Sequence, residues 1–502
     1  MKKIIYIAVL TTLFTGFTGC KKFLNVTPID GLAGNSFWKT KADVETFTLG
    51  VYNKFRTATM KDSRFFVATG DLRCAPANIT NEHYDQYYVG YLRRNDLNGL
   101  LADGRYLQPE TTNRFWQITL WTDFYAVVQE ANILYKQVGD MPETAISASD
   151  KKQYQAEAVF LRCLSYFFMV RVYGDVPYYT NAFNAEALPR TNMVTVLKNC
   201  LADMAAVKDN LPWTYGDAAK VGTRAMRGSA LILMMHMNMW AAGFDAGNAA
   251  QYYQTVVTQG DELQNQNTGA YQLLPIERTS DIFRGGSKEG LFEIVQTQSS
   301  TEQFLPTAVY SNYVLLKPFQ PYSTSTIWYD ASFMLKLYPA TVVDQRKSLW
   351  FDANIYASDG TQQMFKFINA AQGSTAGQNQ VNHQIVFRYA DAILLKAEAL
   401  AQLNQDNLAQ GAVNMIRRRA GAEEFTSTGQ ALKDDIYYER VRELMGEGQY
   451  FYDLVRTRKA VDGTYSFSPI AVDAFNNGAW TWPIDKSALL NNPYITLNAY
   501  WN

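Results

Sequence analysis

From Tyr154 to Tyr173 the residues Ala156, Val159, Phe160, Cys163, Leu164, Phe167 and Phe168 follow the i, i+3, i+4, i+7 progression of a helix with a wide apolar face. Gly174 and Pro177 stop it. A helix of this kind must be buried against others, and the same periodicity recurs along the chain. Ser36-Phe37-Trp38 leads into Val44, Phe47 and Val51. Tyr389 to Leu403 aligns Ala390, Ile393, Leu394, Ala397, Leu400 and Ala401, then Asp406-Asn407 turns the chain. Leu408 to Arg419 returns with Ala412, Met415 and Ile416 before Gly421 caps it. This hairpin covers about 33 residues, close to the unit of tetratricopeptide arrays, although the consensus positions are not clean. The spacing predicts a mainly α fold with repeat-like helix pairs.

Two apolar stretches bear on membranes. Ala230 to Phe244 is too short for a span of roughly twenty residues and holds His236 and Asn238 at its centre, so it reads as a buried helix. At the N-terminus, Lys2 and Lys3 precede an apolar run from Ile4 to Phe17 and the small residues Thr18-Gly19, which reads as a secretory signal. Its end at Cys20 resembles a bacterial lipoprotein signal, despite Phe17 where Leu is usual. Residues 1–19 are then the signal and 20–28 a tether, with Cys20 acylated. Each buried methylene contributes roughly 0.8 kcal/mol, so two or more chains anchor durably. Lys21 and Lys22 are basic where outward-facing lipoproteins often carry acidic residues, so the tether alone does not set the leaflet.

With 46 Lys and Arg against 47 Asp and Glu, the chain lacks the broad positive field that nucleic acid requires. Cys74, Cys163 and Cys200 permit at most one bridge, and Cys163, on the helix face, reads as a small buried hydrophobe.

Catalytic constellations are weak. His83, His236 and His383 form no H-E-x-x-H set, and P-loop, G-x-G-x-x-G and G-x-S-x-G motifs are missing. His236, amid Met234, Met235, Met237 and Met239, reads as a core histidine with one satisfied hydrogen bond. Glu443 and Glu447 at i, i+4 suggest an acid–base pair. Arg440 and Arg442 lie within a turn of them and Glu439 reaches Arg442 at i+3, which favours a structural ion network, with Gly446 and Gly448 at a bend between helices. Arg417-Arg418-Arg419 places positive charge at a helix C-terminus. No cofactor or metal is expected; no D-x-[DN]-x-[DN]-G run is present, although Ca²⁺ held by loop carbonyls leaves no motif.

Long irregular segments on a rigid scaffold are where binding concentrates. In 62–113, Tyr84, Tyr87, Tyr88 and Tyr91 are stacking candidates for apolar sugar faces, with Asp71, Arg73 and Asn95 as hydrogen-bonding candidates. In 299–330 the candidates are Tyr322 and Trp328. Asn369 to Gln384, rich in Gly, Gln, Asn and Ser, reads as a flexible surface loop.

Several blocks together resemble the SusD/RagB family of outer-membrane nutrient-binding lipoproteins. They are Ala156-Glu157-Ala158-Val159-Phe160-Leu161-Arg162 running to Tyr173-Gly174-Asp175-Val176-Pro177, and Arg388-Tyr389-Ala390-Asp391 with Lys396-Ala397-Glu398-Ala399. Asn414, Ile416-Arg417, Arg419-Ala420-Gly421, Glu439-Arg440, Arg442-Glu443-Leu444 and Glu447-Gly448 continue the pattern. Tyr452-Asp453-Leu454-Val455-Arg456, Trp482-Pro483-Ile484-Asp485 and Asn492-Pro493 close it, and Cys20 to Val26 with Pro28 resembles the mature start. The resemblance implies tetratricopeptide-like helix pairs forming an α superhelical scaffold with an irregular, loop-rich ligand-binding region. It implies one domain over 29–502, helical and loop-rich to about 330 and helical beyond. It also implies a non-enzymatic, lipid-anchored outer-membrane protein, facing outward, that captures oligosaccharide or polysaccharide for a SusC-like TonB-dependent transporter. A peptide-binding RagB-like subunit, a scaffold lipoprotein for a protein partner and, least favoured, a lipoprotein glycosidase are the alternatives. Ligand identity and oligomeric state stay open.

Overall fold

The computed structural model describes residues 37–60, 65–79, 87–107, 114–296, 327–367 and 382–502. Signal, tether and Cys20 lie outside them, as does 369–381 of the expected surface loop. In chain order the elements that matter are α1 (Lys41–Met60), β1 (Ala77–Ile79), α2 (Tyr88–Arg93), α3 (Leu97–Ala102), α4 (Thr122–Asp140) and α5 (Ala148–Tyr173). There follow α6 (Met193–Val207), α7 (Arg227–Phe244), α8 (Ala249–Gln266), β2 (Gly290–Ile294), β3 (Ile327–Tyr329), β4 (Gln384–Arg388), α9 (Tyr389–Gln402), α10 (Asp406–Arg419), α11 (Gly429–Glu443) and α12 (Tyr450–Arg456). The chain is mostly helical, with α4 packed on α5, α7 on α8 and α9 on α10, and α8 against α9 joining the last two pairs.

The helix read from Tyr154 to Tyr173 begins six residues earlier, at Ala148. Its first turn is polar and carries no apolar period, but the Asp150 N–H donates to Ser147 Oγ at 3.1 Å, satisfying a donor that the helix start would leave open. From Ala156 onward every residue of α5 is buried, so it is the central helix, enclosed on all sides. Two of its buried charges are paired, Glu157 with Arg224 Nε at 2.7 Å and Arg162 Nη2 with Asp203 at 2.8 Å, while the Arg171 guanidinium lies 4.2 Å over the Tyr452 ring. Cys163 is fully buried, its thiol 3.6 Å from the Cys200 carbonyl oxygen, and Cys74, Cys163 and Cys200 are all free.

The α9–α10 hairpin forms as expected, except that Asp406 opens α10 instead of sitting in the turn, where its charge faces the positive helix end. Gly421, at φ +58°, closes it. Ala230 to Phe244 falls in α7, buried from Gly228 to Ala242, and no helix among the described residues is long and apolar enough to cross a membrane.

Two short antiparallel ladders were not legible as strands. β2 pairs with β4 through a bulge, and Gln384, read as the end of a loop, opens β4. β1 pairs with β3 in the register Ala77↔Tyr329, Asn78↔Trp328, Ile79↔Ile327. One continuous apolar core runs from Trp38 to Ile495.

The charged C-terminal block is interior. Glu443 ends α11 and Glu447 lies in the turn after it, between Gly446 (φ +80°) and Gly448 (φ +78°), so the two carboxylates do not share a helix face. They meet instead on Arg388, which lies 2.8 Å from Glu443, 2.7 Å from Glu447 and 2.8 Å from Glu289. Arg346 bridges Glu439 at 2.8 Å and Glu443 at 3.1 Å; Arg442 meets Glu439 at 2.9 Å, the i+3 contact that the spacing predicts. Burial would raise the Glu439 carboxyl, but Arg346, Arg442 and Arg417 outweigh it and hold it at about 2. Glu443 is likewise held well below the usual carboxylate range, against burial, by Arg419, Arg388 and Arg346. Glu443 and Glu447, the pair that the spacing suggests, thus both serve as counter-charges to the buried Arg388. His236 donates or accepts one bond, 2.6 Å from Asp391, and burial keeps its imidazole below its ordinary value despite that carboxylate.

Candidate functional site

The β1–β3 ladder joins the two segments that the sequence left irregular, although some 250 residues separate them, as the Asn78↔Trp328 pairing shows. Just after β1 the chain enters α2, and between ladder and helix opens a cleft of about 290 Å³ lined by Ile79, Tyr87, Tyr91, Arg93, Arg94 and Arg105, among others. Tyr87 is 38% exposed at the first position before α2, and Tyr91, one turn on, is half-buried.

The arginines are held differently. The Arg105 guanidinium lies 4.4 Å over the Tyr87 ring, and its Nε donates to Asp103 Oδ1 at 2.9 Å. The hydrogen bonds from Arg105 hold the Asp103 carboxyl down to about 2. Arg93 stacks 4.1 Å over Phe467, donates to Asn78 Oδ1 and lies 4.0 Å from Asp330. Asn78 Nδ2 in turn donates to Asp330, so the ladder itself orients Arg93. Arg94 is exposed and lies across Gly90, where an added Cβ would sit 3.6 Å from its guanidinium. Asp96 caps α3 by accepting from Gly99 N at 2.8 Å.

The structure brings Tyr87 and Tyr91 to this cleft and withdraws other candidates from it. Tyr88 is 0% exposed, packed on Tyr106 and Phe115, because it is the first core-facing position of α2. Trp328 is 6% exposed: the alternation of β3 turns Ile327 and Tyr329 into the core and Trp328 to the other face, which is also covered. Asp71 is fully buried and accepts from Gly448 N at 2.9 Å. Arg73, also buried, donates to the carbonyls of Trp480 and Ala479, and its Nε to Asn95 Oδ1 at 2.9 Å. Asn95, at φ +56°, donates to Ala479 O. Asp71, Arg73 and Asn95 therefore fasten the loop to the C-terminal half through Gly448, Trp480 and Ala479. Tyr84 and Tyr322 lie outside the described residues.

Sequence reasoning passed over Arg93, Arg94 and Arg105. The adjacent pair Arg93-Arg94 close after Tyr91 was the available signal, since basic and aromatic residues at helical spacing share a surface. A second cleft, about 220 Å³, is lined by Tyr338, Asp344, Arg417, Phe425 and Arg442, but both arginines are committed to Glu439. Among the described residues no three His, Cys, Asp or Glu side chains group as a metal would require.

Comparison with known proteins divides the chain between two family descriptions. The SusD family matches residues 242–501, and a SusD-like family described as starch-binding and associating with the outer membrane matches residues 23–237. A solved SusD homolog from Bacteroides thetaiotaomicron is 44% identical, with a TM-score of 0.82 over 92% of this chain and 99% of that one. SusD-like protein P38 of Formosa agariphila is 26% identical over 95% of each chain. A laminarin-binding SusD-like protein shares the fold, with a TM-score of 0.66 at 21% identity over 92% of this chain and 99% of that one.

Proposed function

Because the chain belongs to the SusD family, we propose that it is a non-catalytic glycan-binding lipoprotein of the outer membrane. It holds oligosaccharide in the cleft beside the β1–β3 ladder and passes it to a SusC-like TonB-dependent transporter. The observation that carries this reading is the pair Tyr87 and Tyr91, accessible on a rigid helix start beside hydrogen-bonding arginines. A flat ring covers the C–H face of a sugar while polar groups at its edge meet hydroxyls. The laminarin-binding relative and the family described as starch-binding support a glycan as the ligand class. The export signal ending at Cys20 supports attachment through acyl chains. Binding draws on side chains alone and needs no cofactor.

Affinity electrophoresis and calorimetry of the purified protein against polysaccharides and peptides test the reading. A saturable glycan hit without release of reducing ends is expected. Tyr87→Ala with Tyr91→Ala should weaken it by at least tenfold, since a stacked ring contributes about 1–3 kcal/mol, while the melting temperature stays near wild type. Saturable binding of peptides only would replace the glycan reading by a peptide one.

A further inference from the structure

The cleft at Tyr87 and Tyr91 is richer in positive charge than a neutral sugar requires. Three guanidinium groups line it, those of Arg93, Arg94 and Arg105, and no carboxylate does among the described residues. Guanidinium groups donate hydrogen bonds and accept none, so they leave a neutral sugar's own O–H groups without acceptors. They match planar or tetrahedral oxyanions, which accept only, through paired N–H bonds. Two of the three are balanced from outside the cleft, Arg105 by Asp103 and Arg93 by Asp330 at 4.0 Å. The Arg94 guanidinium has neither ion pair nor hydrogen bond among the described residues, whereas its backbone is engaged, the N–H donating to Leu92 O and the carbonyl accepting from Ser468 Oγ at 3.5 Å. The nearest remaining carboxylate in sequence, Asp96, is occupied at the start of α3. The whole chain carries a net charge of only −1, so this excess is local to the cleft. Partial burial of Arg93 against Phe467 lowers the dielectric around its charge and strengthens its pull on an anion.

Resting on the glycan-binding reading of this cleft, we propose that its ligand is an anionic glycan, a chain whose sugars carry carboxylate or sulfate groups. The anionic group sits on the Arg94 guanidinium, with the sugar ring against Tyr91. Arg93 and Arg105, fixed by their own partners, supply the surrounding positive potential and orient the chain.

The test is calorimetry of the full chain in detergent against uronate-containing, sulfated and neutral oligosaccharides. Each anionic glycan is paired with its methyl-esterified or desulfated counterpart, and polyphosphate serves as a plain polyanion. The tightest ligand should be anionic, its neutralised form should bind about tenfold more weakly, as loss of a charged hydrogen bond implies, and affinity should fall with added salt. Whether the uronate or the sulfated member binds identifies the group. Arg94→Gln should lose affinity for the anionic form while binding the neutralised form as before, so that the margin between the two narrows; an unchanged margin would overturn the inference. A neutral glycan as the tightest ligand, or equal affinity for a glycan and its neutralised form, overturns the inference and leaves glycan binding standing. Polyphosphate bound as tightly as the glycan also overturns it, since charge alone then suffices. No glycan bound at all overturns both.

Discussion

Asp71 shows how a residue type in a binding-like context is diverted to structure. Its place in an Asp-Leu-Arg run before the tyrosines fits a sugar ligand set, yet its carboxyl is interior, against Gly448 N. Burial pushes that carboxyl up to about 8, with the Gly448 N–H and Lys366 opposing it only in part. The unfolded chain ionises at the ordinary value near 3.8 while the native protein keeps the proton, so stability is greatest below about pH 4 from this group and is lost as pH rises toward 8. The slope approaches about 1.4 kcal/mol per pH unit. Asp71→Asn retains an acceptor for Gly448 and removes the titration. Urea midpoints at pH 5 and 7.5 should diverge between wild type and variant, the variant losing less; parallel profiles would refute the buried-acid account. Glu443 lies at the opposite extreme, ionised and shared by Arg346, Arg388 and Arg419. Glu443→Gln leaves those buried guanidinium groups short of a counter-charge and should cost about 3–5 kcal/mol, read as a lowered melting temperature by circular dichroism. The sequence spacing showed that these charges form a network, because i+3 contacts are local. It could not show that Arg388, Arg346 and Glu289 complete it, since those partners arrive through tertiary contacts.

At the scale of elements, helices were readable where an apolar period marks them and unreadable where a cap decides. The start of α5 depends on Ser147, and the short strands depend on partners far along the chain; β1 and β3 are three residues each and carry too little pattern to announce themselves. Close approaches between elements are equally silent in sequence. A Cβ on Gly243 of α7 would lie 2.2 Å from the Arg456 carbonyl oxygen at the end of α12, a backbone atom that cannot step aside. Gly243→Ala should therefore destabilise by about 1–3 kcal/mol. Gly50, exposed within α1 with open space around its Cβ position, gives the contrast. Gly50→Ala should stabilise by about 0.5–1 kcal/mol through helix propensity. Chemical denaturation of both variants checks the pair; equal effects would mean that the α7–α12 packing is looser than described.

Across the whole molecule, one core links α1 near the N-terminus to the C-terminal helices, and the family was legible because its short blocks recur in order over nearly the full chain. The site was legible only in outline. Composition and loop length pointed to two segments that the β1–β3 ladder joins, and Tyr87 and Tyr91 line the cleft beside it. Which aromatic faces outward, however, is set by helix phase and strand alternation, so Tyr88 and Trp328 went inside. The arginines became visible as a group only once α2 folded against the ladder. The most direct test is a crystal structure with a bound oligosaccharide identified by the binding panel. The account predicts sugar density in the cleft between Tyr87, Tyr91 and Arg94. Density in the second cleft, beside Tyr338 and Phe425, with the first left empty, would contradict it.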